Sequence, residues 1–141
     1  MKQYRFLIRA FLTCFALIQA GLLPTTQGCS ASSELCGRYF LSAPIDFVVN
    51  VTGPVDPATL DASDLTVNGI PASVFTLSNN NTTITFRFDV SPVHVGGNGM
   101  HIPVGAFNCS DGPVTEFICD FRYFVHRYRP TPAPRPAPQN T

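Results

Sequence analysis

Cysteines carry the most explicit chemistry in the sequence, provided that the chain is exported. Of the five, Cys14 lies in the predicted export signal, which leaves four in the mature chain. An even number of cysteines in an oxidising compartment predicts disulfides, and four cysteines allow three pairings. Turn-forming residues at 110–113 lie between the last two cysteines, which favours short closures. The spacings C-x6-C and C-x9-C lack the C-x-x-C of redox and zinc sites. We therefore predict structural disulfides, with Cys29–Cys36 and Cys109–Cys119 as the favoured pairs.

Three closely spaced aspartates are the candidate metal ligands. Asp56, Asp61 and Asp64 offer the oxygen atoms that calcium prefers. Their spacing is not that of an EF-hand loop, and aspartate also closes turns and caps short helices for local reasons. We expect local structural roles for them, with a calcium site as the alternative and no other cofactor.

The histidines do not form a catalytic or metal-binding pattern. His94, His101 and His126 are scattered along the chain. The sequence also lacks G-x-S-x-G, H-E-x-x-H and a phosphate-binding glycine loop. We therefore predict that the protein is not an enzyme.

Residues 1–28 have the pattern of an export signal. Three basic residues precede an apolar run from 10 to 23, which is shorter than the roughly 20 residues of a membrane span. Cleavage is expected after Ala20 or Gly28. An alternative is lipoprotein processing at Cys29, although only the Gly and the Cys of a bacterial lipobox are present.

The formal net charge of zero comes from three blocks of unlike charge. Residues 1–28 carry +3, residues 29–126 carry nine acidic residues against three arginines, and residues 127–141 carry +3. This distribution excludes a polybasic nucleic-acid binder. Proline recurs at every second position from 130 to 138, which predicts an extended spacer. The alternative is that this basic, proline-rich tail mediates association with the cell envelope.

The middle block has the alternation of β-strands. Apolar and polar residues alternate strictly at 45–52 and 83–90. Weaker strands are predicted at 65–67, 74–77, 100–104 and 117–125, with turns at 68–69, 79–81, 96–99 and 111–112. Six or seven short strands within residues 29–126 predict an all-β, antiparallel sandwich.

Two stretches resemble a known family of surface domains. The run Pro54-Val55-Asp56-Pro57-Ala58-Thr59-Leu60 and the run Ser63-Asp64-Leu65-Thr66-Val67-Asn68-Gly69 resemble bacterial Ig-like domains of the S-layer-protein type. The resemblance covers about residues 43–125 and includes the strands at 82–86 and 100–107. It implies an Ig-like β-sandwich of a secreted or cell-surface protein. The final loop, residues 108–113, departs from the family pattern.

These observations predict an exported module, secreted or associated with the cell envelope, that acts structurally or by binding. Its expected partner is a protein or glycan at the cell surface, and no nucleic acid. The alternatives are a calcium- or glycan-binding adhesin domain and, less favoured, a small secreted hydrolase. The outward face with Thr83 and Thr85 and the loop 94–101 are the predicted interaction surfaces.

Overall fold

Two β-sheets pack against each other in residues 27–125, the part of the chain that this computed structural model describes. The predicted signal peptide, apart from Gln27 and Gly28, lies outside the described residues, and so does the predicted tail. In the described part, no helix is both long and apolar enough to cross a membrane.

Eleven strands alternate with turns in this region. In chain order they are β1 (Ala31–Ser32), β2 (Tyr39–Phe40), β3 (Asp46–Val51), β4 (Thr66–Val67), β5 (Ile70–Pro71), β6 (Val74–Ser78), β7 (Thr83–Arg87), β8 (Gly96–Ile102), β9 (Asn108–Cys109), β10 (Gly112–Pro113) and β11 (Phe117–Tyr123). A four-stranded sheet has the order β1-β3-β7-β6, a five-stranded sheet has the order β2-β11-β8-β4-β5, and β9 and β10 pair as a separate hairpin. All pairs between named strands are antiparallel except β2 with β11. The prediction of an all-β antiparallel sandwich is confirmed.

Aromatic side chains fill the space between the sheets. The strict alternation of β3 buries Phe47 and leaves Asp46 and Val48 outside. The ring of Phe47 packs edge-on against Phe88, with centroids 5.2 Å apart. The other large buried side chains include Phe86, Phe107, Phe121, Leu65, Ile84, Met100 and Ile102. Burying each such side chain contributes about 1.5–3 kcal/mol, so this layer is the main source of stability.

The disulfides join distant parts of the chain. Cys29 is bonded to Cys109 and Cys36 to Cys119, across sequence separations of 80 and 83 residues. All four cysteines are therefore paired, as predicted, but the favoured pairs Cys29–Cys36 and Cys109–Cys119 are wrong. The short-closure argument considers only distance along the chain, whereas pairing of β2 with β11 brings residues 36 and 119 together. Closing loops of this length stabilises the fold by about 4–5 kcal/mol each on the chain-entropy model.

The Cys29–Cys109 bond bears on the hypothesis that Cys29 is lipidated. The sulfur of Cys29 is bonded to Cys109, and Cys29 is fully buried. One sulfur cannot hold both a lipid and a disulfide, so lipidation of Cys29 is incompatible with this structure.

Strand β8 begins earlier than the sequence predicts. The run Gly96-Gly97-Asn98-Gly99 was expected to be a turn, but it forms the first half of a seven-residue strand. All seven residues of β8 pair with β11, from Gly96 opposite Tyr123 to Ile102 opposite Phe117. The turn prediction is wrong here because pairing with β11, and not local propensity, places these residues in a strand, although Gly96 keeps a positive φ angle of 108°.

Candidate functional site: a glycine-floored groove

A groove of about 630 Å³ lies on the outer face of the five-stranded sheet. In β11 the inner positions Cys119 and Phe121 are buried, whereas Asp120 and Arg122 point outward and line the groove. Strand β8 supplies the floor, and the segment leading into β2 supplies the opposite wall with Arg38 and Tyr39. The groove is therefore formed by β2 with the segment before it, by β11 and by β8.

Two glycines leave the floor of the groove without side chains. Gly97 lies opposite Arg122 in the sheet, and Gly99 lies opposite Asp120. Neither has a positive φ angle. A Cβ atom at Gly97 would meet no atom within 4 Å, and one at Gly99 would approach only the Asp120 Oδ1, at 3.4 Å. Neither the backbone conformation nor steric crowding requires glycine at these two positions. Their effect is to leave the space above the floor of the groove unfilled.

A buried asparagine holds the floor in place. Asn98 is only 4% exposed. Its Oδ1 accepts hydrogen bonds from the His94 N–H (2.9 Å) and from the Asn68 Nδ2 (2.8 Å), and its Nδ2 donates to the carbonyls of His94 (2.9 Å) and Gly96 (3.0 Å). All the hydrogen-bonding capacity that a buried amide needs is thus met within the protein.

The turn between β4 and β5 fixes the other end of the floor. Asn68 exchanges two hydrogen bonds with Gly99, from the Asn68 N–H (2.9 Å) and to the Asn68 Oδ1 (3.1 Å). Asn68 and Gly69 have φ angles of 53° and 79°, as the two central residues of a type I′ turn require. The predicted turn at 68–69 is confirmed.

The wall at β2 places two arginines side by side. The Gly37 N–H donates to the Asp120 carbonyl (2.7 Å), and the Arg122 N–H donates to the Arg38 carbonyl (2.9 Å). Next to them, the ring of Tyr39 stacks on Phe124, with centroids 5.8 Å apart and planes 20° apart. Tyr39 is 68% exposed. Arg38 and Arg122 thus both border the groove, next to an accessible aromatic surface.

The arginines of the two sheets differ in their partners. Arg87, on the four-stranded sheet, contacts both carboxylate oxygens of Asp46, at 2.8 and 3.1 Å. Within residues 27–125, neither Arg38 nor Arg122 forms an ion pair with a carboxylate. Two arginines and one carboxylate, that of Asp120, thus line the groove, and within the described residues none of the three forms an ion pair.

The three predicted calcium ligands lie elsewhere and close turns. The Asp56 Oδ1 accepts from the Ala58 N–H (3.0 Å). Asp61 and Asp64 form a capping box on the 3₁₀ turn Ala62–Asp64, in which the Asp61 side chain accepts from Ser63 and the Asp64 side chain accepts from the Asp61 N–H. In the described region, no group of three or more His, Cys, Asp or Glu residues is placed to hold a metal ion. The calcium hypothesis is therefore not supported.

The capping box shifts the pKa values of its two carboxyl groups in opposite directions. Hydrogen bonds from the backbone and then the side chain of Ser63 lower the pKa of Asp61. Partial burial raises the pKa of Asp64, and the charge of Asp61 adds to that effect, while the hydrogen bond from the Asp61 N–H opposes it. These shifts belong to a local turn.

The three histidines considered in the sequence analysis lie in different places. The His94 Nδ1 lies 3.2 Å from the Asn68 Nδ2, and the His101 Nε2 lies 3.2 Å from the Glu116 Oε1. His126 is outside the described residues. Among the hydrogen bonds of residues 27–125, neither His94 nor His101 is paired with a serine or cysteine side chain.

The sequence pointed to part of this site and missed the rest. The predicted interaction loop 94–101 contains the groove floor. The other predicted surface, with Thr83 and Thr85, lies on the four-stranded sheet, and the prediction that Thr83 is accessible is wrong because hydrogen bonds with Asn50 and Asn79 hold it buried. Arg38, Tyr39 and Arg122 were not recognised as site residues. Composition shows only that the region has three arginines and no lysine, and the placement of two of them in one groove depends on the pairing of β2 with β11.

Comparison with known proteins supports the fold. No family model matches the chain and no curated protein matches it, so the resemblance to S-layer-type Ig-like domains is not confirmed. Among solved structures, the chain is similar to CopC from Methylosinus trichosporium OB3b, with a TM-score of 0.50 and 16% identity. The similarity covers 67% of this chain and 89% of that chain. At this identity it shows the β-sandwich fold alone.

The disulfides indicate the kind of compartment in which the chain folds. Two disulfides form in the described region. Such bonds persist in oxidising compartments and are rare in the cytosol. They are consistent with an exported protein.

Proposed function

We propose that this protein is an exported, non-catalytic interaction module of the cell surface or extracellular space, and that it binds its partner in the glycine-floored groove. The observation that carries the proposal is the pair Gly97 and Gly99 in the middle of a sheet. Glycine weakens a strand, and within a strand it often marks a site that another molecule approaches closely.

Structural explanations for these glycines have little support. Both residues have ordinary φ angles, and the space above Gly97 is empty out to 4 Å. A β-branched side chain at residue 97 would improve strand propensity and cover part of the sheet. The benefit of glycine is therefore access to the backbone and to the side chains of β11 and β2.

A glycan is the partner class that the groove favours. The exposed Tyr39 ring, stacked on Phe124, offers a flat apolar surface of the kind that the C–H face of a sugar ring contacts. Asp120 and the two arginines supply hydrogen-bond acceptors and donors around it. A mainly open, polar groove with one aromatic platform fits an extended hydroxylated chain better than a compact apolar ligand.

A non-catalytic role is supported by what surrounds the reactive side chains. The four described cysteines are disulfide-bonded. His94 and His101 contact an amide and a carboxylate and do not contact a hydroxyl or thiol nucleophile. General-base activation needs such a contact at hydrogen-bond distance.

The substitution Gly97→Val tests the proposal. Full-length protein, wild type and variant, is applied to an array of neutral and acidic glycans, and its unfolding is followed in urea. We expect wild-type binding, at least a tenfold loss in Gly97→Val, and a free energy of unfolding that stays unchanged or rises by up to about 1 kcal/mol.

A matched control and two contrary outcomes make the test decisive. Thr76→Val, on the outer face of β6 in the other sheet, should leave glycan binding unchanged. Equal binding by wild type and Gly97→Val would remove the groove from the proposal. Wild-type protein that binds no glycan would remove the glycan as partner class.

A further inference from the structure

We propose that the ligand of the groove is an anionic saccharide, in which a carboxylate or sulfate group lies between Arg38 and Arg122 while the sugar ring rests on Tyr39. This inference rests on the proposed function and specifies its ligand class. It follows from the charges in the groove, which the glycine floor alone does not explain.

Both arginines border the same groove. The Arg122 N–H donates to the Arg38 carbonyl, so their backbones are fixed next to each other by the parallel pairing of β2 with β11. The adjacent Cys36–Cys119 disulfide ties the same two segments together. Long arginine side chains that start from neighbouring backbone positions can both reach an anion bound in the groove.

The composition of the region makes the pair more distinctive. Nine acidic residues lie within 27–125, yet in that region neither arginine forms an ion pair with any of them. The remaining arginine, Arg87, is held by Asp46 on the opposite face. Guanidinium groups match the geometry of carboxylate and sulfate oxygens through paired N–H donors. The groove is therefore a localised positive site on an acidic body.

The other groups in the groove distinguish a saccharide from a simple polyanion. Asp120 lines the floor between the arginine pair and Gly99. A carboxylate there accepts hydrogen bonds from sugar hydroxyls, which the side chains of an acidic peptide do not offer. The stacked Tyr39–Phe124 platform suits the sugar ring. Positive, negative and aromatic groups within one groove thus match a ligand with acid groups, hydroxyls and a ring.

Binding to four polymers by full-length protein tests this ligand class. The panel contains polygalacturonate, the same polymer after reduction of its carboxyl groups, a sulfated galactan and poly-glutamate. We expect polygalacturonate or the sulfated galactan to bind at least tenfold more tightly than the reduced polymer, with affinity that falls as NaCl rises.

Three arginine variants identify the groups responsible. Arg38→Gln and Arg122→Gln should each weaken binding of the acidic polymer about tenfold or more, because each loses a charge-assisted contact. Arg87→Gln makes the same change of net charge on the other sheet and should leave binding within about twofold. Equal losses in all three variants would show a general charge effect and overturn the site.

The remaining outcomes separate this inference from the proposed function. Equal binding of the acidic and reduced polymers, lost in Gly97→Val, would overturn the anionic ligand and keep the groove. Poly-glutamate binding as tight as that of the acidic polysaccharides would assign an acidic peptide instead and overturn the saccharide. No binding to any polymer of the panel would overturn the anionic saccharide, while glycan-array binding sensitive to Gly97→Val would still support the proposed function.

Discussion

The two sheets of this sandwich share the alternation of inward and outward side chains, but their outer faces differ in which residues they carry. On the four-stranded sheet, the outward positions of β3, β6 and β7 all carry side chains, and Arg87 is neutralised by Asp46. On the five-stranded sheet, β8 leaves two outward positions to glycine, and two arginines line the gap without an ion-pair partner in the described region. The outer face of the four-stranded sheet is thus covered by side chains and its arginine is ion-paired. The outer face of the five-stranded sheet has an open groove lined by arginines without ion pairs in the described region.

The difference shows which positions are free to carry function. The inner faces of both sheets share one continuous core, with Phe47 from one and Phe121 from the other in contact at 6.0 Å between ring centroids. Changes at those positions alter stability in either sheet. The outward positions are not bound by core packing, so a pair of glycines can open a groove there while the fold stays intact.

Removing the disulfides one at a time should have the largest effect on stability. It should lower the free energy of unfolding in both variants but weaken ligand binding in only one. Replacing Cys36 and Cys119 by Ala, or Cys29 and Cys109 by Ala, should lower the free energy of unfolding by about 4–5 kcal/mol in each case, measured by urea unfolding. Only the first variant loosens the wall of the groove, so only it should also lose binding of the acidic polysaccharide under conditions in which it remains folded. Equal binding by both variants would separate the groove from the Cys36–Cys119 bond.

The buried polar side chain of each sheet provides the next largest test. Asn98→Ala should cost about 2–4 kcal/mol of unfolding free energy, because the His94 N–H and the Asn68 amide lose a buried acceptor. Thr83→Val, on the four-stranded sheet, removes hydrogen bonds to Asn50 and Asn79 and should cost about 1 kcal/mol. Equal costs would show that Asn98 is not the main support of the groove floor.

The arginines should separate stability from binding. Arg87→Gln breaks an exposed ion pair and should lower the free energy of unfolding by up to about 1 kcal/mol. Arg122→Gln removes one member of an unneutralised pair and should leave stability unchanged or slightly raised. Thermal unfolding of the two variants at low and high NaCl distinguishes these results, and a larger loss in Arg122→Gln would point to a structural partner for that arginine.

The smallest effect is expected at the turn that leads into β4, away from the groove. The pKa of Asp64 is raised above its ordinary value of 3.8, so its contribution to stability is present below that value and is lost as the pH rises through the raised folded pKa. Asp64→Asn keeps an acceptor for the Asp61 N–H but does not titrate. The stability of Asp64→Asn relative to wild type should therefore rise as the pH rises through this window.

The opposite sign is expected at the neighbouring carboxyl group. The pKa of Asp61 is lowered, so its stabilisation is present above 3.8 and is lost as the pH falls through the lowered folded pKa. Asp61→Asn should be less stable than wild type at neutral pH, with a difference that shrinks on acidification. Urea unfolding between about pH 2.5 and 7 measures both trends, and parallel curves for the two variants would contradict the assignment.

Local alternation predicts much of the fold but not the groove. The strands at Asp46–Val51, Thr83–Arg87 and Phe117–Tyr123 follow from side chains that alternate between a buried and an exposed face. The glycines of β8 contribute no such signal, because a residue without a side chain reports neither face. Their extended conformation comes from pairing with β11, which is distant in sequence.

The disulfide pairs and the arginine pair were missed for a related reason. The Cys36–Cys119 bond and the shared groove of Arg38 and Arg122 depend on β2 lying beside β11, near opposite ends of the region. The Cys29–Cys109 bond lies where Cys29 bridges to Val114 and Cys109 bridges to Val55. Chain spacing favours near neighbours, since closing a short loop costs less entropy. Only the pairing of β2 with β11, in which Arg122 lies opposite Tyr39, shows that Arg38 and Arg122 border the same groove.

The pairing of β2 with β11 also sets the order in which the molecule becomes competent to bind. Strands β3, β6 and β7 can associate once the chain has been made or exported as far as Arg87, so the closed face is available early. Tyr39 and Arg38 are among the first residues of the region to emerge, but their partner Arg122 follows more than 80 residues later. Contacts of such long range form slowly. We therefore expect the groove to form last. A chain that ends before β11 could still pair β3, β6 and β7, but it would lack Asp120 and Arg122 and could not bind the ligand.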